Sequence, residues 1–494
     1  MAALLYLCAY FSGPRDSAYA RLFSALETWC GSILIAVLAF KEVSSPWIAV
    51  AWAVFAFLLL VIGDRVKRIQ LHFQAYLLSI SALFQVLQVN LLAVAPFSLF
   101  PSVTLRLVTV TLIGAIFYLC ARWAAKGEFA QAPLAGAAYT WAASSLVVLL
   151  IDYEAASRGV ALYWALFALA LFEIGVYWKS RNWRLQSYAI LILSFLRLCI
   201  FNLDARPGDL LAFTLPIAFL FYYVYLRLTR LTESRQNATS ASTIATTNPF
   251  ALDQQLYAPT LLAYLGSATL VLFADSYFFG GSRLVAWAAL SLIFLAIAWA
   301  AKLDIFLHHS VLLAFLVSIR ALAFELQTGG HPAIPGHFST LFYVSAVAAI
   351  LFTGQAFAFP LRARFAAART KSVSTGDLQF SLSEILSRPE QIYFFLPFGL
   401  VTLLILNEVS FGRVTIAWGL EAVVAFLFAL VVGERSFRLA GLGLLLLCVA
   451  KIGFLDVWRL HGSDRYVTLI ILGVALLLVS YLYTRYSEAI RRYL

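Results

Sequence analysis

Apolar blocks of about 18 to 22 residues follow one another along nearly the whole chain, and that is the length a helix needs to cross a bilayer. Soluble domains do not stack such blocks end to end. Of 494 residues, 63% are apolar and 12% charged, with a mean hydropathy of +0.89. Water-soluble enzymes, disordered chains and fibrous chains are excluded on that ground. The expected fold class is all-α polytopic transmembrane.

The formal net charge of +11 would suggest nucleic acid in a soluble domain. In a membrane protein it follows from Lys and Arg collecting in cytoplasmic loops, so no nucleic-acid partner is expected. Cys8, Cys30, Cys120, Cys199 and Cys448 lie in apolar stretches without CxxC spacing and read as small hydrophobes. The N-terminal MAALLYLCAYFSG has neither a basic flank nor a small-residue cleavage site, and does not read as a signal peptide.

Self-similarity organises the rest. Trp52, Trp164, Trp287 and Trp418 each sit in a similar apolar context. Twenty-three residues before each anchor stands an aromatic: Trp29, Trp141, Tyr264 and Phe395. Ten before stand Glu42, Glu154 and Glu408, with Asp275 two positions off in the third copy. Thirty-three after stand Gln85, Arg197, Arg320 and Lys451, and thirty-eight after stand Asn90, Asn202, Glu325 and Asp456. Four tandem copies of one unit are expected, each of four segments a to d, giving sixteen spans in four repeats that share one orientation.

The expected division is 1–28, an N-terminal half-span and connector; 29–126, repeat 1; 136–230, repeat 2; 231–256, a cytoplasmic linker; 257–360, repeat 3; 361–390, a second cytoplasmic linker; 391–486, repeat 4; and 487–494, a basic tail. Segment a reads as short in every copy: 29–41, 136–151, 257–274 and 392–407. Residues 4–11 resemble the end of segment d in the first copy, 117–123, as though the chain started inside a repeat. One side of the proposed topology holds 24 of the 35 Lys and Arg residues and the other eight. The b–c loops, both linkers and the C-terminus are therefore expected in the cytoplasm of a bacterial inner membrane. On that side Asn237-Ala-Thr would escape glycosylation.

Catalytic signatures are missing: there is no phosphate-binding glycine loop, no HExxH and no nucleophile elbow. No catalytic residue, metal or cofactor is expected. His72, His308 and His309 begin c segments, His331 and His337 share a loop without a third ligand, and His461 stands alone. The strongest signal is charge within the spans. Arg197, Arg320 and Lys451 lie deep in segment c and Glu421 deep in segment b, where an ionised group costs roughly 2.5–3.5 kcal/mol on insertion scales. One reading makes them structural, each base paired with an acid on a neighbouring helix. A second makes them a polar pocket in the outer half of the membrane, formed with Glu154, Glu408, Asp456, Asn202 and Glu325, and a third has the bases snorkel to the outer interface with no specific partner. The expected pairs are Arg197 with Glu154 and Lys451 with Glu408, while Arg320 uses Asp275, Glu325 or carbonyls.

The last unit carries Ala417, Trp418, Leu420, Glu421 and Ala422, then Arg438, Gly441 and Leu442, then Lys451, Phe454, Leu455 and Asp456, and finally Ser480 through Tyr483. With these, residues 413–486 resemble the bacterial predicted membrane protein family catalogued as domain of unknown function 2339. The resemblance fades in the earlier copies, which have Phe55, Phe167 and Leu290 in place of Glu421. It implies a membrane location and brings no activity. The functional expectation is a non-catalytic membrane scaffold or complex subunit that binds lipids and other membrane proteins. A transporter or flippase for an envelope lipid, glycan or ion is the alternative.

Overall fold

In a bilayer every backbone N–H and C=O must find its partner within the protein, and helices do so segment by segment. The computed structural model of the chain is built accordingly. It describes all residues except 12–17, 93–97, 101–102, 126–131, 204–206, 241–249, 329–339, 363–387, 457–462 and 486–494. Among the described residues fifteen helices are long and apolar enough to cross a membrane, and the last helix adds a shorter apolar stretch, Leu469–Tyr481. The architecture is all-α and polytopic, apart from a small antiparallel pairing of β1 (Ser98–Phe100) with β2 (Val103–Thr104).

Two compact units divide the chain, Met1–Thr269 and Leu270–Leu494. The first contains α1 (Ala2–Phe11), α2 (Ala18–Glu42), α3 (Ile48–Val66), α4 (Ile69–Gln85), α5 (Leu105–Ala124), α6 (Ala132–Glu154), α7 (Val160–Tyr177) and α8 (Arg181–Phe201). The short α9 (Pro207–Asp209) and a wide π turn lead into α10 (Leu215–Ser240), and α11 (Ala251–Gln255) follows. The unit boundary falls within α12 (Ala258–Tyr277). The second unit holds α13 (Ser282–Ala301), α14 (Asp304–Thr328), α15 (Thr340–Thr353), α16 (Pro389–Glu408), α17 (Phe411–Val432), α18 (Arg435–Lys451) and α19 (Ser463–Arg485).

Segments b and c pack as antiparallel hairpins: α3 on α4 and α7 on α8 in the first unit, α13 on α14 and α17 on α18 in the second. Small residues let the backbones approach, as expected where packing rather than water drives association. Ala49, Ala53 and Ala56 of α3 are fully buried, and so are Ala161, Ala165 and Ala168 at the same three places in α7. Each hairpin turns on a left-handed residue fifteen positions after the anchor Trp: Lys67, Lys179, Lys302 and Gly433, with φ of 55°, 55°, 58° and 75°. Only the last is the glycine such a cap prefers.

Two expectations need correction. Segment a is not short: α2, α6, α12 and α16 have 25, 23, 20 and 20 residues. Thr28, Ser32, Thr140 and Ser144 lower its apolar character but lie buried, so they do not end the helix. The segment 231–256 is not wholly a linker either. Helix α10 continues to Ser240, and beyond the undescribed 241–249 the chain buries Phe250 and Asp253. Most of the second linker, 363–387, lies outside the described residues, as do His331, His337 and His461.

Candidate functional site

Polar side chains buried in the spans fall into three groups. The first is a relay within the first unit. Tyr6 of α1 bonds Ser32 at 2.5 Å, Ser32 donates to Gln74 Oε1 at 2.6 Å, Gln74 Nε2 to Thr28 at 3.2 Å, and Thr28 to the Ala25 carbonyl at 2.8 Å. Every member recurs 112 residues later. Tyr118 bonds Ser144 at 2.9 Å, Ser144 donates to Gln186 Oε1 at 2.6 Å, Gln186 Nε2 to Thr140 at 2.8 Å, and Thr140 to the Ala137 carbonyl at 2.7 Å. The short α1 therefore holds the place that the end of α5 takes in the next copy. A third start, Tyr222 with Ser267 at 2.7 Å, follows from α10. In sequence, His309 stands where Gln186 stood. The two complete relays satisfy their hydroxyls and amides with protein groups, which favours a specific packing over a reactive centre.

The second group contains the charges singled out by the sequence. Arg197 pairs with Asp152 at 2.8 Å and lies over the rings of Trp164 and Phe201 at 5.4 and 4.6 Å. Arg320 pairs with Asp275 at 2.6 Å and lies over Trp287 at 4.4 Å. The two pairs are one arrangement. In each, the acid precedes the anchor Trp by twelve residues and the base follows it by thirty-three. The expected pairing of Arg197 with Glu154 is thus corrected. Glu154, two residues on, points roughly 200° further round the helix. There it accepts from Thr104 at 2.8 Å and lies 3.9 Å from Arg106. In the first copy the acid and base positions hold Phe40 and Gln85, and in the fourth Leu406 and Lys451.

Lys451 donates to Thr415 at 2.6 Å, and Glu408 is exposed at the end of α16. Glu421 accepts from Thr402 at 2.9 Å, and Thr402 lends its carbonyl to Trp418 Nε1 at 2.9 Å. The indole bond to the residue sixteen earlier recurs as Trp52 to Ala36 at 3.0 Å and Trp164 to Val148 at 2.9 Å. Asn202 donates to the Arg158 carbonyl at 2.8 Å, just as Asn90 donates to the Pro46 carbonyl at 2.9 Å, tying the end of segment c to the start of b. The side chains of Glu325 and Asp456 lie outside the described residues. Of the seven candidates whose side chains are described, all but the exposed Glu408 find the partners named above within their own copy or its neighbour. They are distributed among separate copies.

Sequence reasoning missed the third group. Arg184 and Asp253 have no exposed side-chain surface and meet at 2.8 Å through Nη2 and 3.0 Å through Nε. Tyr188 donates to the other carboxylate oxygen at 3.1 Å, and the guanidinium lies over Phe250 at 4.6 Å. Gly175 makes room, since a Cβ there would fall 2.8 Å from Arg184 Cγ. In the first copy His72 occupies the same place over Gly63 and bonds Asp64 at 2.9 Å. In the second unit Tyr393 bridges Ser291 and Ser310 in full burial. Among the described residues no group of three His, Cys, Asp or Glu side chains is placed to hold a metal ion. No protein-family model, no curated protein and no solved structure matches the chain.

Proposed function

We propose that the protein is a non-catalytic membrane scaffold, or a subunit of a larger membrane complex, whose outer surfaces meet lipids and other membrane proteins. In this reading its sixteen spans are four tandem four-helix repeats of one orientation in a bacterial inner membrane, with the C-terminus in the cytoplasm. The left-handed caps at a constant distance from each anchor and the duplicated relays support the repeats.

One observation carries the proposal: the intramembrane bases of the second and third copies are bound to acids and roofed by aromatic rings in the same way in both. A transport path needs groups free to exchange partners with a solute. A pair that recurs with its acid, base and ring, and disappears as a pair in the first copy, behaves as a clamp between segments a and c. The transporter reading has one observation in its favour. Glu421 Oε2 is buried without a hydrogen-bond partner among the described residues, in the copy that has Leu406 at the acid position of the clamp. Reconstitution into vesicles separates the two. A scaffold leaves proton flux and the translocation of fluorescent phospholipid at the level of protein-free vesicles. Flux above that level that is abolished by Glu421→Gln would establish the transporter.

A further inference from the structure

The first copy lacks the clamp, and a cavity of about 370 Å³ lies between α2, α3 and α4 there. Its long wall runs along α2 from Trp29 to Phe40, a separation of roughly 16 Å of helical rise. That is close to half the roughly 30 Å thickness of a bilayer's hydrocarbon core, the depth of one leaflet. Ile33, Val37, Phe40 and Leu77 at the rim are each about half exposed, so the cavity opens sideways from segments that read as membrane spans. Four of its polar wall residues are already engaged, Ser32 and Gln74 in the relay, Trp52 Nε1 with the Ala36 carbonyl, and Ser81 with the Leu77 carbonyl. Such a lining offers little to water and suits an apolar chain.

The second copy carries different side chains at the same places. Ala36, Phe40, Ser81 and Gln85 become Val148, Asp152, Leu193 and Arg197 at the equivalent positions. Two of these changes add side-chain volume and two install the ion pair that ties α6 to α8. We propose that the cleft between α2, α3 and α4 is a binding site for one hydrocarbon chain of a bilayer phospholipid. The site rests on the reading of the protein as a lipid-contacting membrane scaffold and names what that scaffold binds.

The experiment uses the full chain in nanodiscs containing a phosphatidylglycerol with a photoreactive group near the end of one acyl chain. Cross-linked peptides are mapped by mass spectrometry. Labelling is expected to concentrate on residues 33–40 and 77–81 above that of ordinary lipid-facing positions such as Leu196 and Ile200. Two variants built from the chain's own second copy, Ala36→Val with Ser81→Leu and Phe40→Asp with Gln85→Arg, are each expected to lose this excess. Their thermal unfolding midpoints, measured alongside, show that the bundle remains folded. Uniform labelling of all exposed apolar helices, or excess labelling unchanged in folded variants, overturns the proposal while leaving the membrane reading intact. Absence of labelling anywhere on the chain overturns both. If a polyprenyl chain carrying the same photoreactive group displaces the phospholipid from the cleft, the assigned occupant is wrong.

Discussion

Replacing Asp253 with Ala removes the acceptor of two guanidinium contacts and of the Tyr188 hydroxyl, in a place where neither Arg184 nor Asp253 has exposed side-chain surface. Arg184 cannot recover its hydration without opening the packing around Phe250 and Gly175. Removing one partner of a buried pair costs about 3–5 kcal/mol. For a unit of this size, each kcal/mol lowers the unfolding midpoint by roughly 2–4 °C, so a loss of about 4 kcal/mol corresponds to roughly 8–16 °C. The assay is thermal unfolding of the purified protein in detergent, followed by tryptophan fluorescence. Proteolysis between residues 241 and 256 should rise in parallel, because α11 is held to α8 through this pair. Arg184→Met with Asp253→Leu and Tyr188→Phe removes every charge and hydroxyl of the cluster, and should recover most of the midpoint. The reasoning fails if Asp253→Ala leaves the midpoint unchanged, or if the triple variant is as unstable as the single one.

Lys67, Lys179 and Lys302 occupy left-handed caps where the fourth copy has Gly433. Each Lys→Gly change should therefore raise the unfolding midpoint, by about 1 kcal/mol of relieved strain, and a fall in all three would contradict the cap assignment. Gly175→Ala should be destabilising because its Cβ would meet Arg184 Cγ at 2.8 Å, while Gly208→Ala, with nothing nearby, serves as the control in the same melt. Gln186→Ala should cost about 1–3 kcal/mol by leaving Ser144 and Thr140 without their shared partner. Tyr118→Phe removes only the outermost link and should cost less. A cysteine introduced near residue 240 should resist an impermeant thiol reagent in intact cells, whereas one at residue 333 should react, and the reverse pattern would invert the topology.

The spans were legible because an apolar run long enough to cross a bilayer is a local signal that needs no partner. Their interiors were harder to read. The buried relays of Thr28, Ser32, Thr140 and Ser144 were not visible, since the Gln74 and Gln186 that satisfy them stand more than forty residues away. The same 112-residue shift that aligned Trp52 with Trp164 also aligned these groups, and it was the usable clue. The acid of the clamp was misplaced for a related reason. Glu42, Glu154 and Glu408 agree in three copies, but the position two residues earlier reads Phe40, Asp152, Asp275 and Leu406 and is acidic only in the two copies whose base is arginine. Pairing leaves its mark in covariation between copies, not in identity. Asp253 was invisible because its neighbours in sequence look like a linker, and its burial depends on Arg184, sixty-nine residues earlier.

The claim that the intramembrane charges are clamps is tested most directly by a double-mutant cycle at Asp152 and Arg197. Thermal unfolding in detergent is measured for Asp152→Leu, Arg197→Met and the two together. The account predicts that each single change lowers the midpoint by leaving one charge without its partner, and that the double variant regains most of the loss. If the double variant instead shows the sum of the two single losses, Asp152 and Arg197 act independently and the clamp does not exist.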